Sequence, residues 1–283
     1  MKKILITGAN SYIGTSVEKW LSKYPDEYLV DTIDMKTEEW KKKDFSPYDV
    51  VFHVAGIVHI KETKKNKEIY YKVNRDLAYE TVKKAKSEGV KQFIFLSTMS
   101  VYGLKEGVID KNTPLDPKNN YGKSKLQAEA LIKNLNDDLF RVAILRPPMV
   151  YGNSCKGNYS KLSKLAKLSP VFPDVNSKRS MIYIDNLSEF VRLIVDNNLN
   201  GIYFPQNLEY VNITELVKVI AKTHNKNIFT TSLFNPFIDL LCRNNSIFKK
   251  VFGSLIYDQN MSNNDLLNYC LFDLIESIKL TEN

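Results

Sequence analysis

The chain has 283 residues, 43% of them apolar and 25% charged, with a net charge of +8 at pH 7. That is the make-up of a globular protein with one large domain, or a main domain and a smaller appendage, and it excludes a disordered or fibrous chain. No apolar run reaches the roughly 20 residues that a bilayer crossing needs, and Cys155, Cys242 and Cys270 form no CxxC, so neither a disulfide framework nor a zinc site is expected.

The start, Met1-Lys2-Lys3-Ile4-Leu5-Ile6, has the look of a signal peptide, but its apolar run stops at Thr7-Gly8. An h-region needs about 7–15 residues. The stretch therefore reads as a first β-strand, and the protein is expected in the cytoplasm. The lysines are spread over helix-like stretches between apolar residues, which points to solvated faces and not to a nucleic-acid surface. The same positive field would steer small polyanionic ligands.

Apolar, β-branched runs then alternate with helical stretches. Lys3–Ile6, Tyr28–Asp34, Asp49–Ala55, Gln92–Ser97 and Phe140–Leu145 read as strands. Ser16–Tyr24, Glu68–Glu88 and Tyr121–Leu135 carry helical spacing. Strands separated by such helices imply βαβ units and a doubly wound parallel sheet of the Rossmann kind, whose ligands bind at the carboxyl ends of the strands. Residues 1–152 are assigned to this nucleotide-binding domain, to which 181–205 return. Residues 153–180 and 206–283 make a small C-terminal substrate-binding portion. In it helices are expected at Ser160–Leu168, Asp185–Asp196 and Val211–His224, the last with Asn212 or Thr214 near its start, and a strand at Ser180–Ile184. The stretch from Asn235 onward mixes Phe, Leu and Ile with Asn and Lys; it reads as a packed cap or lid in preference to a membrane contact.

Two motifs carry chemistry. The first is Thr7-Gly8-Ala9-Asn10-Ser11-Tyr12-Ile13-Gly14, at the turn from first strand to first helix. Gly8 permits the tight turn and Gly14 lets helix and strand pack closely, while the helix start offers N–H groups to a pyrophosphate. Ser11 stands where a middle glycine is usual, and its small side chain still admits close approach. Asp34, at the end of the second strand, is placed to accept hydrogen bonds from ribose hydroxyls, which favours NAD over NADP. Asp31 is a rival register, and Lys36 nearby suits a phosphate.

The second motif is Tyr121-Gly122-Lys123-Ser124-Lys125, which sets a tyrosine and a lysine four residues apart on one helix face. By itself that spacing is common on protein surfaces. Here it follows Ser97-Thr98-Met99-Ser100-Val101-Tyr102-Gly103, at the end of a strand. A tyrosine needs roughly 4 kcal/mol of preferential phenolate stabilisation to ionise near pH 7, and a nearby Lys⁺ and a nicotinamide ring are plausible sources. His53 lies among apolar residues and reads as structural; His59 is a second histidine near the expected site. No spacing among His, Cys, Asp and Glu recommends a metal.

Together these strings resemble the extended short-chain dehydrogenase/reductases, in the NAD-dependent epimerase/dehydratase branch. The resemblance also rests on Asp49-Val50-Val51-Phe52-His53-Val54-Ala55-Gly56, on Asn74, on Leu145-Arg146-Pro147-Pro148-Met149-Val150-Tyr151-Gly152 and on Lys178–Asp185, and spans the first two-thirds of the chain. It implies Tyr121 as acid/base, Lys125 as its ribose-binding and pKa-lowering partner, and Thr98 as the hydroxyl on the reacting oxygen, with Ser97 and Ser100 as neighbours that share the role. It implies that Gly8, Asn10, Ser11, Tyr12, Ile13, Gly14, Asp34, Ala55 and Gly56 line NAD or NADP, and that Asn74 braces the site. Asn158 and Arg179 correspond to residues that touch the diphosphate of a UDP-linked sugar, for which an arginine fork is suited; their bland readings are a loop asparagine and a surface arginine. A two-fold dimer through a helix pair is what the resemblance implies for assembly.

Met99-Ser100 follow Thr98 where dehydratases of this branch carry an acidic pair, so dehydration is not expected. Leu145–Gly152, Ile202–Asn207 and Val251–Tyr257 look most like bacterial capsule and O-antigen enzymes that reduce a UDP-4-keto-6-deoxy-N-acetylhexosamine to UDP-N-acetylfucosamine or UDP-N-acetylquinovosamine. The leading expectation is such a 4-ketoreductase, with a UDP-sugar 4-epimerase second and a non-catalytic nucleotide-binding regulator third.

Overall fold

The structure, a computed structural model, describes residues 1–58, 62–63, 66–233, 235–244, 249, 252–262 and 268–283. His59 and Val251 lie outside them. The strands are β1 (Lys2–Thr7), β2 (Tyr28–Ile33), β3 (Val50–His53), β4 (Gln92–Leu96), β5 (Gly107–Ile109), β6 (Arg141–Leu145), β7 (Met149–Tyr151), β8 (Val171–Pro173), β9 (Met181–Tyr183), β10 (Gly201–Tyr203), β11 (Phe229–Thr231) and β12 (Leu255–Tyr257). Among the described residues the helices are α1 (Tyr12–Leu21), α2 (Lys67–Tyr71), α3 (Leu77–Ser87), α4 (Asn120–Lys133), α5 (Asn158–Leu168), α6 (Ile184–Asp196), α7 (Ile213–Thr223) and α8 (Asn235–Asn244), followed by one turn at Gln259–Ser262 and a C-terminal helix Leu274–Glu282.

The chain divides into two compact units. The first holds Met1–Gly103, Pro114–Pro147 and Leu187–Pro205, the second Leu104–Thr113, Pro148–Asn186 and Gln206–Asn283. The first unit contains one six-stranded sheet in the order β10-β6-β4-β3-β1-β2, with every pairing parallel. β3 and β4 are buried along their whole length, as continuous apolar strands covered on both faces must be. Val51, Phe93, Phe95, Ala128, Ile132, Phe140 and Ile144 form the centre of the core. Between β2 and β3 there is only a 3₁₀ turn, Glu38–Lys41, with Trp40 buried. β1 and β3 are consequently neighbours and the winding reverses between them, which is where open α/β sheets leave a crevice.

Helix ends follow their caps. α1 starts at Tyr12, four residues before the expected Ser16, because the Ser11 hydroxyl accepts the Gly14 N–H at 3.2 Å. α7 starts at Ile213 because Asn212 accepts the N–H groups of Thr214 and Glu215 at 2.8 and 3.2 Å. The long helix expected over Glu68–Glu88 is α2 and α3 joined by a π-helical turn, Lys72–Asp76, which contains Asn74. Such single π-turns recur at functional sites.

The second unit is built on three two-stranded parallel ribbons, β7 with β9, β5 with β12, and β8 with β11. Tyr151 stacks on Tyr159 and tilts against Tyr183 in its core. The C-terminal stretch expected as a cap contributes β12 to this framework, with Tyr257 fully buried.

Candidate active site

The crevice is shaped by backbone. Gly8 has φ +97°, and a Cβ there would stand 3.0 Å from the backbone N and Cα of Ala55, just beyond the end of β3. Only glycine permits both that conformation and that approach. The loop is tied to β2 by the Gly8 and Ala9 N–H groups, which donate to the Ile33 carbonyl at 2.8 and 3.0 Å. Asn10 takes a left-handed φ of +63°. A Cβ on Gly14 would lie 2.6 Å from Ser11 Oγ, so the loop closes tightly over the start of α1. Ser11 thus does more than stand in for a small residue: it occupies the Gly14 amide.

Asp34 follows the last residue of β2, is exposed, and accepts the Lys36 N–H at 2.9 Å. Asp31, the rival, is paired in mid-strand with Leu5 and accepts the Tyr48 hydroxyl at 2.5 Å. The carboxylate at the carboxyl edge of the sheet is therefore that of Asp34.

β4 carries Thr98 out of the sheet. The Ser97 N–H donates to the Leu145 carbonyl at 2.7 Å and the Met99 N–H to the Pro147 carbonyl at 3.0 Å, so the end of β6 holds this segment. Thr98 caps the 3₁₀ turn Met99–Tyr102, its hydroxyl accepting the Ser100 N–H at 3.1 Å. α4 begins beside that turn. A Cβ on Gly122 would lie 2.6 Å from the Ser100 carbonyl oxygen, so the helix is pressed against the turn at a glycine. Tyr121 and Thr98 meet there, close enough for the Thr98 hydroxyl to act on the phenol.

Burial pushes the Tyr121 phenol up to about 12, against the lowering effect of the Thr98 hydroxyl. The Lys125 ammonium donates to the Leu96 carbonyl at 2.8 Å and lies 4.6 Å from the Phe95 ring centre. Burial lowers Lys125 to about 8, with the Glu129 charge working in the other direction. Bringing Tyr121 from about 12 to neutrality takes roughly 7 kcal/mol, at about 1.36 kcal/mol per pH unit.

The Lys125 ammonium is also part of the crevice floor. A Cβ on Gly56 would lie 3.4 Å from Lys125 Nζ and 3.0 Å from Asn74 Oδ1. Asn74 braces this point from the π-turn: its Oδ1 accepts the Ile57 N–H at 2.8 Å, and its Nδ2 donates to the Ile57 carbonyl and to Ser124 Oγ, both at 3.1 Å. Ser124 in turn donates to the Tyr121 carbonyl at 2.9 Å. Thr98, Tyr121, Lys125, Gly56 and Asn74 thus form one connected group in the first unit.

Three residues beneath them, Glu129, Arg146 and Tyr102, were given no role from the sequence, and they join Ser97. Glu129, one turn beyond Lys125, accepts the Ser97 hydroxyl and the Arg146 guanidinium at 2.6 Å, and Arg146 Nη1 donates to the Tyr102 hydroxyl at 3.0 Å. The signal was available: Tyr121, Lys125 and Glu129 recur at four-residue intervals on one helix face, and Arg146 directly follows a buried strand. His53 is structural, with Nδ1 at 2.8 Å from Thr7 Oγ1, stacking against Phe93 and Phe95; burial, aided by Lys125, holds it down to about 3.

Asn158 and Arg179 belong to the second unit. Asn158 is exposed at the first position of α5. Arg179 exchanges backbone hydrogen bonds with Val211, both at 2.9 Å, and its Nη2 donates to the Lys249 carbonyl at 2.8 Å. Burial pushes its guanidinium down to about 10, so it is a half-buried group and not a surface arginine. No group of three or more His, Cys, Asp or Glu able to hold a metal occurs among the described residues.

A parallel sheet with a glycine turn at its winding reversal and a Tyr/Lys/Thr group beside it is the arrangement of a dinucleotide-dependent enzyme. The chain belongs to the NAD dependent epimerase/dehydratase family, whose model matches residues 4–204. It is similar to N-acetyl-alpha-D-glucosaminyl-diphospho-ditrans,octacis-undecaprenol 4-epimerase of Escherichia coli O157:H7, at 28% identity over 82% of this chain and 76% of that protein. It is 28% identical to UDP-glucose 4-epimerase of Vibrio cholerae, over 78% of this chain and 75% of that one. The fold is shared with UDP-glucuronic acid 4-epimerase from Bacillus cereus in complex with NAD, at TM-score 0.75 and 21% identity over 99% of this chain and 95% of that one.

Proposed function

We propose that the protein is an NAD-dependent 4-epimerase of a diphosphate-linked hexose or N-acetylhexosamine in surface-polysaccharide biosynthesis. The observation that carries this reading is the group of Tyr121, Thr98 and Lys125 beside Gly56, in a chain similar to two proteins named as 4-epimerases. The Gly8 approach to Ala55, the bare Gly56 and the carboxylate of Asp34 fit a dinucleotide, and Asp34 favours the form with a free 2′-hydroxyl. When bound, the nicotinamide supplies the acceptor and donor of hydride.

The chain's own residues handle the proton and the orientation. Tyr121 Oη takes the proton from the sugar C4 hydroxyl and returns it after the ring has turned over. Thr98 Oγ1, beside the same phenol, orients that oxygen. Lys125 holds positive charge at the cofactor ribose and is fixed by the Leu96 carbonyl. Asn158 and Arg179 are assigned to the sugar's diphosphate, where the arginine fork gives charge-assisted hydrogen bonds.

The 4-ketoreductase uses the same set in one direction only, and stoichiometry separates the two. UDP-glucose or UDP-N-acetylglucosamine is supplied with NAD and the product followed by NMR. Conversion to the C4 epimer with no net loss of NAD supports the proposal. Equimolar NADH or NADPH oxidation on a UDP-4-keto-6-deoxy-N-acetylhexosamine, without epimerisation, assigns the reductase instead. If neither sugar is turned over and Tyr121→Phe keeps full function in cells, the regulator reading replaces both.

A further inference from the structure

The second unit exposes large apolar side chains on adjoining elements. On α5, Lys161, Lys164, Leu165 and Leu168 point outward along one face, and Leu168 is 70% exposed. β8 follows directly. Its Val171 is paired in register with Phe229 of β11, which places the two side chains on the same side of the ribbon. Phe229 is 69% exposed, whereas Phe172, on the opposite side, is buried against Phe252. The ribbon is tied to the end of α5, because the Phe229 N–H donates to the Pro170 carbonyl at 2.8 Å and the Lys226 ammonium bonds the Lys167 carbonyl. Leu233, two residues past β11, is 84% exposed. A contiguous patch of this kind marks an interaction surface, unlike scattered single residues.

The charges around it select the partner. Segments 158–174 and 222–233 carry Lys161, Lys164, Lys167, Lys222 and Lys226 against one acidic residue, Asp174. Lys167 is paired with Glu282 at 2.8 Å, while Lys161, Lys164, Lys222 and Lys226 are exposed. Apolar side chains flanked by lysines match the interface of an anionic bilayer, where the one enters the headgroup boundary and the other meets lipid phosphate. We infer that the face made by α5, β8 and β11 docks this protein on an anionic phospholipid surface, through Leu168, Phe229 and Leu233 with a surround of lysines. No helix among the described residues is long and apolar enough to cross a membrane, so the contact is peripheral. Docking stands without the reaction proposed above. Its consequence, that the diphosphate-linked sugar can be carried by a polyprenol in the bilayer, rests on that reading.

The test is co-sedimentation of the full chain with vesicles of phosphatidylcholine alone and of phosphatidylcholine with phosphatidylglycerol. The wild type is expected to sediment with the anionic vesicles only, and to be released by salt. Leu168→Gln/Phe229→Gln/Leu233→Gln should lose at least about tenfold in partitioning, and Lys161→Gln/Lys164→Gln about 25-fold, at roughly fivefold per lysine. None of these residues belongs to the catalytic or diphosphate-binding set, so turnover of a soluble UDP-sugar should stay as in the wild type and reports separately on the reaction. A wild type that remains in the supernatant with anionic vesicles, or an apolar variant that binds as well as wild type, overturns the inference. So does a wild-type dimer that the apolar variant abolishes while neither protein binds vesicles, because the patch then joins two copies of the chain.

Discussion

Replacing Glu129 by Gln keeps the shape of the side chain and removes one charge. The carboxylate accepts from Arg146 Nε at 3.1 and 3.2 Å, from Nη2 at 2.6 Å, and from the Ser97 hydroxyl. Both partners of the ion pair are only about 5% exposed, at 5% for Arg146 and 4% for Glu129. The variant leaves Arg146 a buried cation whose remaining partners include the Tyr102 hydroxyl at 3.0 Å. Breaking a buried pair from one side costs about 3–5 kcal/mol, a large part of a typical total of about 5–15 kcal/mol. At about 2–4 °C per kcal/mol for a large domain, Tm should fall by roughly 6–20 °C in a circular dichroism melt. The second effect is electrostatic. The Glu129 charge raises Lys125 against burial, so without it Lys125 drops below about 8 and loses its proton earlier as pH rises. The alkaline limb of kcat/KM should therefore move to lower pH. Glu129→Leu combined with Arg146→Met removes both charges and should recover most of the stability. A Tm within about 1 °C of wild type for Glu129→Gln, with the alkaline limb unmoved, would refute the claim that this pair supports the site.

Two further outcomes follow from the packing. Gly122→Ala gains helix propensity of about 1 kcal/mol, yet its Cβ would stand 2.6 Å from the Ser100 carbonyl oxygen; α4 must shift off the 3₁₀ turn, and kcat/KM should fall about 100-fold, whereas unchanged kinetics would mean that Tyr121 and Thr98 do not depend on that contact. Glu282, on the C-terminal helix, accepts from Tyr159, Ser163, His224 and Lys167 at 2.8–2.9 Å. Burial raises its carboxyl, and these four partners outweigh that and hold it below the ordinary value of 4.5. Its folded-state pKa is thus depressed, so its stabilisation is present above about pH 4.5 and is lost as pH falls through the lower folded value. Urea melts of Glu282→Gln should show a deficit at pH 7 that closes toward pH 3–4; a deficit that does not vary with pH would contradict the charge-based account.

Local rules explain which parts of this protein its sequence determined alone. Alternating buried strands and amphipathic helices define a doubly wound sheet wherever β4 and β3 are too apolar for a wet face. The Gly8–Gly14 loop and the Tyr121/Lys125 spacing were likewise legible, since a turn geometry and a helix face are set within a few residues. Helix starts were missed where a cap outweighed periodicity, as at Ser11.

Only the tertiary structure decided the rest, because it depends on pairings between distant segments. Placing β1 beside β3 brings Ala55 against Gly8, and the pairing of Asp31 with Leu5 in mid-strand leaves Asp34 as the carboxylate at the sheet edge. The setting of Tyr121 was not legible either, since burial raises its phenol while the Lys125 ammonium is held by the Leu96 carbonyl. Burial is a property of everything packed around a group, so no count of residues along the chain could supply it. The Ser97–Glu129–Arg146–Tyr102 network has the same origin: four side chains from three separate segments meet, where a charge is tolerated only with its partner present.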